Sequence, residues 1–299
     1  LSRKGSREAD LVRSIRSYGK LVSNYLNIDK IDSDNRLRCS YNPVGTRYSR
    51  ISSSESIFGT GMNMQNWPHG MQRYLLPDEN HVFYSFDLSQ AENRIVAYVG
   101  RIHQMIEAFE TGKDVHSLTG ALISGKTPEE VKDEDKKDIK CPLGDGSKTW
   151  RFWGKKANHG LNYDLGYKNF ALQYEIPERD GKFIVDSYHN AYPGVRNGFH
   201  AFVKKCLAKS RTLENLMGRK TIFLGAWSDD LLKEAYSCIP QGTTGDVINE
   251  RGLLFIYYNQ NQFRPIKLLN QVHDSIGFQV SLDIPWTEHA RMLLEIKKE

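Results

Sequence analysis

Apolar residues recur at three- and four-residue steps over residues 7–26, where Leu11, Ile15, Tyr18, Val22 and Tyr25 share one face. That period predicts an amphipathic helix. Residues 27–66 break the period and are rich in Ser, Asn, Arg and Gly, which predicts ordered loop with short strands. The segment HVFYSFD, ending at Asp87, is aromatic and apolar with no helical step, and predicts a short buried strand. Ser89 and Glu92 stand at capping-box spacing ahead of Ile95, Val96 and Val99, so a helix is expected immediately after that strand.

Residues 125–148 are charged and contain Gly and Pro, which predicts a solvated loop or short surface helix. TWRFWGKKANHGLNYDLG (149–166) predicts a helix, and a longer helical stretch near 183–209 is broken at Pro193-Gly194. TLENLMGRKTIFL predicts two strands around a turn at Met217-Gly218. Residues 242–258 predict a helix, and IKLLNQVHDSIGFQVSL predicts two apolar strands meeting at His273-Asp274. There is no internal repeat and no low-complexity segment. The mixed order predicts an α+β core with a mainly helical insertion.

Composition adds constraints. The chain has 299 residues, 39% hydrophobic and 26% charged, which is ordinary for a globular protein. No run of 18 or more apolar residues is present, so no membrane span or membrane partner is expected. The first ten residues are polar and lack a signal-peptide core, so the chain is expected to be cytoplasmic or to begin partway through a longer product. Cys39, Cys141, Cys206 and Cys238 are scattered, which argues against a zinc site and against a disulfide framework. A net charge of +5 permits a polyanionic partner without requiring one.

Two groups of residues carry chemistry. Asp87 and Asp274 each sit at a predicted strand end. Carboxylates brought together from distant strands are suited to holding magnesium for phosphoryl or nucleotidyl transfer. Either aspartate alone also reads as an ordinary turn residue. Arg151, Lys155, His159 and Tyr163 recur every four residues, a step of about 400° that drifts only about 40° on a helix. They predict one stripe, cationic at one end and aromatic at the other, suited to a triphosphate and a base. A solvated basic helix face is the alternative, although Trp150 and Trp153 give that helix a second, apolar side. His116 is a further candidate phosphate contact.

These residues resemble the motifs of the Pol I-type (family A) DNA polymerases, more closely the viral and phage members than the cellular ones. Asp87-Leu88-Ser89-Gln90-Ala91-Glu92-Asn93-Arg94 resembles the first motif, D-Y-S-Q-x-E-x-R. The row Arg151, Lys155, His159, Tyr163 resembles R-x3-K-x3-F/Y-x3-Y-G, and Gln271-Val272-His273-Asp274-Ser275 resembles Q-V-H-D-E. Arg50-Ile51-Ser52-Ser53, Asn63-Met64-Gln65-Asn66-Trp67-Pro68, Asp114-Val115-His116, Tyr192-Pro193-Gly194 and Gln241-Gly242-Thr243 resemble lesser signatures, in the family's order.

The resemblance implies a right-hand polymerase fold, with an antiparallel-sheet palm and helical fingers. It implies an end of a thumb helix at 1–26, palm at 27–99 and 236–299, and fingers at 100–235, with most of the thumb missing and the C-terminus stopping soon after the third motif. Asp87, Asp274 and the Leu88 carbonyl would bind two Mg2+ ions, with Mn2+ as an alternative. Gln90, Glu92, His116, Arg151, Lys155, His159 and Tyr163 would bind the dNTP, Glu92 excluding a ribose 2′-hydroxyl. Arg50, Asn63, Gln65, Asn66, Gln241, Gln271 and His273 would contact primer–template DNA.

The implied reaction is DNA-directed DNA synthesis in replication, with accessory proteins as further partners, in the cytoplasm of a bacterial host if phage-encoded. Rival readings are a reverse transcriptase, an RNA polymerase and a non-catalytic nucleic-acid-binding remnant. Three residues depart from the motifs: His159 stands in place of Phe or Tyr, Asp164 in place of Gly, and Ser275 in place of an acid.

Overall fold

In chain order the computed structural model, which describes residues 6–48 and 50–299, begins with helix α1 (Arg7–Tyr25). The short strands β1 (Ser40–Asn42) and β2 (Ser52–Ser54) pair antiparallel, and one 3₁₀ turn covers Met64–Asn66. Strand β3 (His81–Asp87) follows, then α2 (Ala91–Val99), α3 (His103–Glu110), α4 (Val115–Ser124), α5 (Pro128–Lys136) and α6 (Trp150–Leu161). Next come α7 (Tyr167–Tyr174), α8 (Glu178–Ala191), a π-helical stretch Val195–His200 and α9 (Ala201–Ser210). The hairpin of β4 (Thr212–Glu214) and β5 (Lys220–Ile222) leads to α10 (Asp229–Val247). A second π-helical stretch (Ile248–Leu254), α11 (Phe255–Tyr258) and α12 (Gln260–Phe263) precede β6 (Ile266–Val272), β7 (Ser275–Ser281) and α13 (Trp286–Lys298). The first five residues of the expected 1–26 segment lie outside the described residues.

These elements form two units, one taking in the chain up to Ser89 together with Thr244–Glu299, the other Gln90–Thr243. In the first, an antiparallel sheet has the order β3-β7-β6. Side chains alternate across a strand, so Ile276, Phe278 and Val280 of β7 face one side. There they pack with Ile248, Ile256, Phe263, Met292 and Ile296 into a buried core. Tyr84 and Phe86 of β3 and Ile266 and Leu268 of β6 join the same core.

The strand ending at Asp87 is only half-buried, not buried as expected. Edge position explains this: β3 has a neighbour on one side only, and Phe83 and Ser85 point away from the core. On α1 the spacing correctly predicts a helix, but Leu11, Ile15, Tyr18 and Val22 stay exposed.

The second unit is helical. Helix α4 packs along α6 through glycines: a Cβ on Gly154 would lie 2.2 Å from the His116 carbonyl oxygen and 2.6 Å from Gly120 N. Trp153, Ala157 and Leu161 of α6 are buried, as are Ile184, Val185 and Tyr188 of α8. The helix expected after Asp87 forms, but its N-cap is not the residue that the Ser89–Glu92 spacing predicted. The N-cap of α2 is Gln90 in the left-handed region (φ 55°), with no side-chain cap, so the helix starts a residue beyond the expected cap geometry.

Candidate active site

In the first unit the two candidate metal ligands are brought together by the sheet. Asp87 is the last residue of β3 and lies opposite Ser275, the first residue of β7. Asp274 immediately precedes Ser275, and the Leu88 N–H donates to the Asp274 carbonyl oxygen at 3.0 Å. Strand pairing therefore places at one sheet end two carboxylates far apart in sequence. Asp87 is exposed and Asp274 partly so. Among the described residues no group of three or more His, Cys, Asp and Glu side chains is gathered as a metal site. Two carboxylates with a main-chain carbonyl and water are an all-oxygen donor set that fits magnesium, which keeps several waters and few protein ligands.

The turn that carries Asp274 is tight and locally strained. Val272 pairs with Ser275, so His273 and Asp274 alone make the connection. His273 sits in the left-handed region (φ 53°), a conformation that is uncommon outside glycine. Gln271, buried beneath the turn, donates from Nε2 to the His273 carbonyl at 2.9 Å and accepts at Oε1 from Gln65 Nε2 at 2.9 Å.

Asn63 caps the 3₁₀ turn, its Oδ1 accepting the Gln65 N–H at 3.0 Å and the Ser53 hydroxyl at 2.7 Å. The Asn66 carbonyl takes the Tyr25 hydroxyl at 2.8 Å, and the half-buried Arg50 offers its carbonyl to Thr46 at 2.7 Å. Gln271, Asn63 and part of Gln65 thus already serve internal hydrogen bonds.

The second unit holds the other candidates. Thr149 caps α6 by accepting the Phe152 N–H at 3.2 Å. Arg151 donates from Nε to Asp114 at 2.6 Å and lies 3.6 Å from Asp135. Asp114 in turn caps α4 through the N–H groups of His116 and Ser117. Burial pushes the Asp114 carboxyl up, but the Arg151 guanidinium and the Ser117 hydroxyl outweigh it and hold it below the usual range.

Lys155 and His159 follow on the exposed face of α6. Tyr163 does not. The helix ends at Leu161, and Tyr163 lies in the turn beyond it, so the expected single stripe of four is three residues on a helix and one past its end. The Tyr163 hydroxyl donates to the Glu92 carboxylate. Gln90 Oε1 is buried without a hydrogen-bond partner, and Gln241 lies partly exposed on α10.

His116 is poised as a neutral donor. Asn158, fully buried, donates from Nδ2 to His116 Nδ1 at 3.1 Å. Its amide orientation is set by the Val115 carbonyl, which can only accept from Nδ2 at 3.4 Å, and by the Thr119 hydroxyl, which donates to Oδ1 at 3.0 Å. With Nδ1 accepting, the imidazole proton sits on Nε2. Burial holds this histidine down at about 4; Asp114 pulls it up, while Arg151, Lys155 and His159 push it lower.

Asp135 and Asn158 are contributors that reading the residues in order did not single out. Asp135 falls in a charged stretch read as solvated surface, and Asn158 lies off the cationic row on the inner face of α6. No sequence signal marked Asn158. The four-residue spacing of Asp135 from Val131 on one short helix marks only an amphipathic helix.

An antiparallel sheet with paired acids at one end, in a chain whose other unit is helical, is the combination of elements found in a right-hand polymerase. The likeness to a solved structure agrees: the POL domain of Pol1 from M. smegmatis, in complex with DNA primer-template and dNTP, superposes with a TM-score of 0.74 at 23% identity, covering 97% of this chain and 48% of that one. The DNA polymerase family A model matches residues 1–295, and the chain belongs to that family. Among relatives, a DNA polymerase I of Helicobacter pylori is 24% identical over 284 residues, covering 90% of this chain. A DNA polymerase I of Aquifex aeolicus is 27% identical over 274 residues, covering 89%. The chain spans 29% and 43% of the lengths of these two relatives. No helix among the described residues is long and apolar enough to cross a membrane.

Proposed function

We propose that this chain carries the palm and fingers of a template-directed DNA polymerase, which adds dNTPs to a primer 3′-hydroxyl. The observation that carries the reading is the sheet-end placement of Asp87 and Asp274, locked by the Leu88 N–H on the Asp274 carbonyl. In this reading residues 27–99 and 236–299 are palm, 100–235 fingers and 1–26 the end of a thumb helix. Unit boundaries near Ser89 and Thr244 support that division. Membership of family A and the primer–template and dNTP bound by the M. smegmatis domain support DNA and dNTPs as partners. A phage-encoded origin and a place in the cytoplasm of a bacterial host belong to the same reading, and the flanking gene sequence tests both.

The residues divide the work. Asp87, Asp274 and the Leu88 carbonyl would hold magnesium, or manganese in its place. Bound there, the metal supplies charge neutralisation at the phosphates and an acidified 3′-hydroxyl. Arg151 and Lys155 would bind the triphosphate as cations, and His116 through its Nε2–H as a neutral donor. Gln90 and His159 would line the nucleotide's other contacts. Glu92, held by Tyr163, would stand against a ribose 2′-hydroxyl, and Tyr163 would stack near the templating base. Arg50, Gln241, His273 and the polar groups of Asn63, Gln65, Asn66 and Gln271 would face the primer–template, whose minor groove offers acceptors common to all base pairs.

Primer extension by the full-length protein tests this, with dNTPs against rNTPs on DNA and RNA templates. Extension should require dNTPs and magnesium. Asp87→Ala and Asp274→Ala should each lower its rate by about 10³-fold or more, since several kcal/mol of charge stabilisation at the transition state goes with the ligand. Extension with rNTPs alone would assign an RNA polymerase, and efficient copying of RNA a reverse transcriptase. DNA binding without extension, unaltered by Asp87→Ala, would assign a binding remnant.

A further inference from the structure

The edge of the sheet beneath Asp274 is closed by side chains from a distant part of the same unit. Strand β6 is an edge strand, paired with β7 on one side only. Val272 and Ser275 close the hairpin, so the next pair, Gln271 and Ile276, leaves the Gln271 N–H and C=O pointing outward. Gln271 is 1% exposed, and a backbone group buried that deeply needs a partner. Tyr41 supplies both: its Oη accepts the Gln271 N–H at 2.9 Å and donates to the Gln271 carbonyl, 3.3 Å away. Gln65 reaches the same residue, its Nε2 shared among Gln271 Oε1 at 2.9 Å, the Gln271 carbonyl at 3.2 Å and the Ile51 carbonyl at 2.8 Å. Gln271 then passes the constraint on, donating from its own Nε2 to the carbonyl of left-handed His273, the residue before Asp274.

We propose that Tyr41 and Gln65 are positioning residues for the metal site, holding the His273-Asp274 turn in its strained form through Gln271. The proposal rests on the reading of Asp274 as a metal ligand. Restraints on the turn include the Leu88 N–H on one side, Gln271 on the other, and the Ser275 hydroxyl, which donates across it to the Val272 carbonyl at 2.9 Å. Removing the Gln271 restraint lets His273 relax out of the left-handed region and swings the Asp274 carboxylate away from Asp87. Burial pushes the Tyr41 phenol well above its usual range, so its O–H stays intact as a donor through neutral and mildly alkaline pH.

The test is Mn2+ binding followed by electron paramagnetic resonance on the full-length protein, with Tyr41→Phe, Gln65→Met and Asp274→Ala beside the wild type. Phenylalanine keeps the packing of Tyr41 and removes only the hydroxyl; methionine keeps the length of Gln65 and removes its donor. Wild type should bind Mn2+, Asp274→Ala should lose that binding, and Tyr41→Phe and Gln65→Met should each weaken it about three- to tenfold, the equivalent of one buried hydrogen bond. Tyr41→Phe should extend primers with a raised magnesium requirement and an unchanged KM for dNTP, and high magnesium should restore its rate. A Tyr41→Phe variant that fails to fold leaves Gln65→Met to decide. Wild-type Mn2+ affinity in the folded variants, with binding lost in Asp274→Ala, overturns the proposal and spares the metal-site reading. Wild-type binding in Asp274→Ala overturns both.

Discussion

Single backbone conformations decide much at the residue scale. Asp164, where the family motif has glycine, occupies the left-handed region at φ 58°. A Cβ is disfavoured there by about 1–2 kcal/mol. The cost is offset by Arg196, whose guanidinium donates to the Asp164 carboxylate at 2.9 Å. Both side chains are partly exposed, and such pairs contribute about 0–1 kcal/mol. The two effects nearly cancel, so Asp164→Gly should change stability by less than about 1 kcal/mol. Arg196→Ala keeps the strain and leaves a half-buried carboxylate without its partner, and should cost about 1–2 kcal/mol. Denaturant midpoints of the two variants check this; an equal loss in both would show that the ion pair, not the backbone, dominates. The substitution at 164 is visible in the sequence, but its partner is not, because Arg196 reaches it from the π-helical stretch after α8.

At the scale of elements, the α4–α6 pair sets the cationic face. The two helices approach closely enough that Gly154 Cα faces main chain of α4, and Gly120 faces the Trp150 carbonyl, with a Cβ there falling 2.7 Å away. Main-chain atoms cannot rotate aside as a flexible side chain can. Gly154→Ala should therefore force the helices apart and destabilise the protein by about 3 kcal/mol, the upper part of the range for overpacking. Thermal unfolding measures that; if His116 contacts dNTP as proposed, the variant should also bind dNTP less tightly, because His116 and Asn158 no longer face each other. Periodicity revealed α6 and its exposed cationic row. It extended that row too far, to Tyr163, because a four-residue spacing continues to match a helix after the chain has turned away. The Glu92–Tyr163 hydrogen bond shows what holds that tyrosine instead.

For the molecule as a whole, the helical unit carries buried histidines that make its stability depend on pH. His189 has both ring nitrogens buried without hydrogen-bond partners, and burial holds it down at about 4, with Arg196 and His200 pushing it lower and Asp164 and Asp186 pulling it up. His116 lies at about 4 for the same first reason. Both titrate near 6.5 when unfolded. Between about pH 6.5 and pH 4 the unfolded chain therefore binds more protons than the folded one, and stability must fall as pH falls through that window, remaining full above it. His189→Gln removes one of the titrations. Denaturant midpoints measured from pH 7.5 to pH 4 should show a shallower decline in that variant; an identical decline would mean that His189 does not titrate on unfolding.

The sequence by itself determined the local elements and the chemistry available to them. Hydrophobic period marked α1, α6, α8, β6 and β7, and turn residues marked the hairpins, because helix and strand formation depend on neighbours a few positions away. The ordered motifs named Asp87, Asp274 and the row on α6. Tertiary structure decided the rest. It put Asp87 beside the Asp274 turn through pairing of β3 with β7, set Tyr41 and Gln65 under that turn, and turned Arg151 toward Asp114 and Asp135. Each of these contacts joins residues whose separation along the chain leaves no local period or spacing to read. Their pairing is set by which faces pack and by which buried polar groups must find partners, and that is resolved only when the chain has folded.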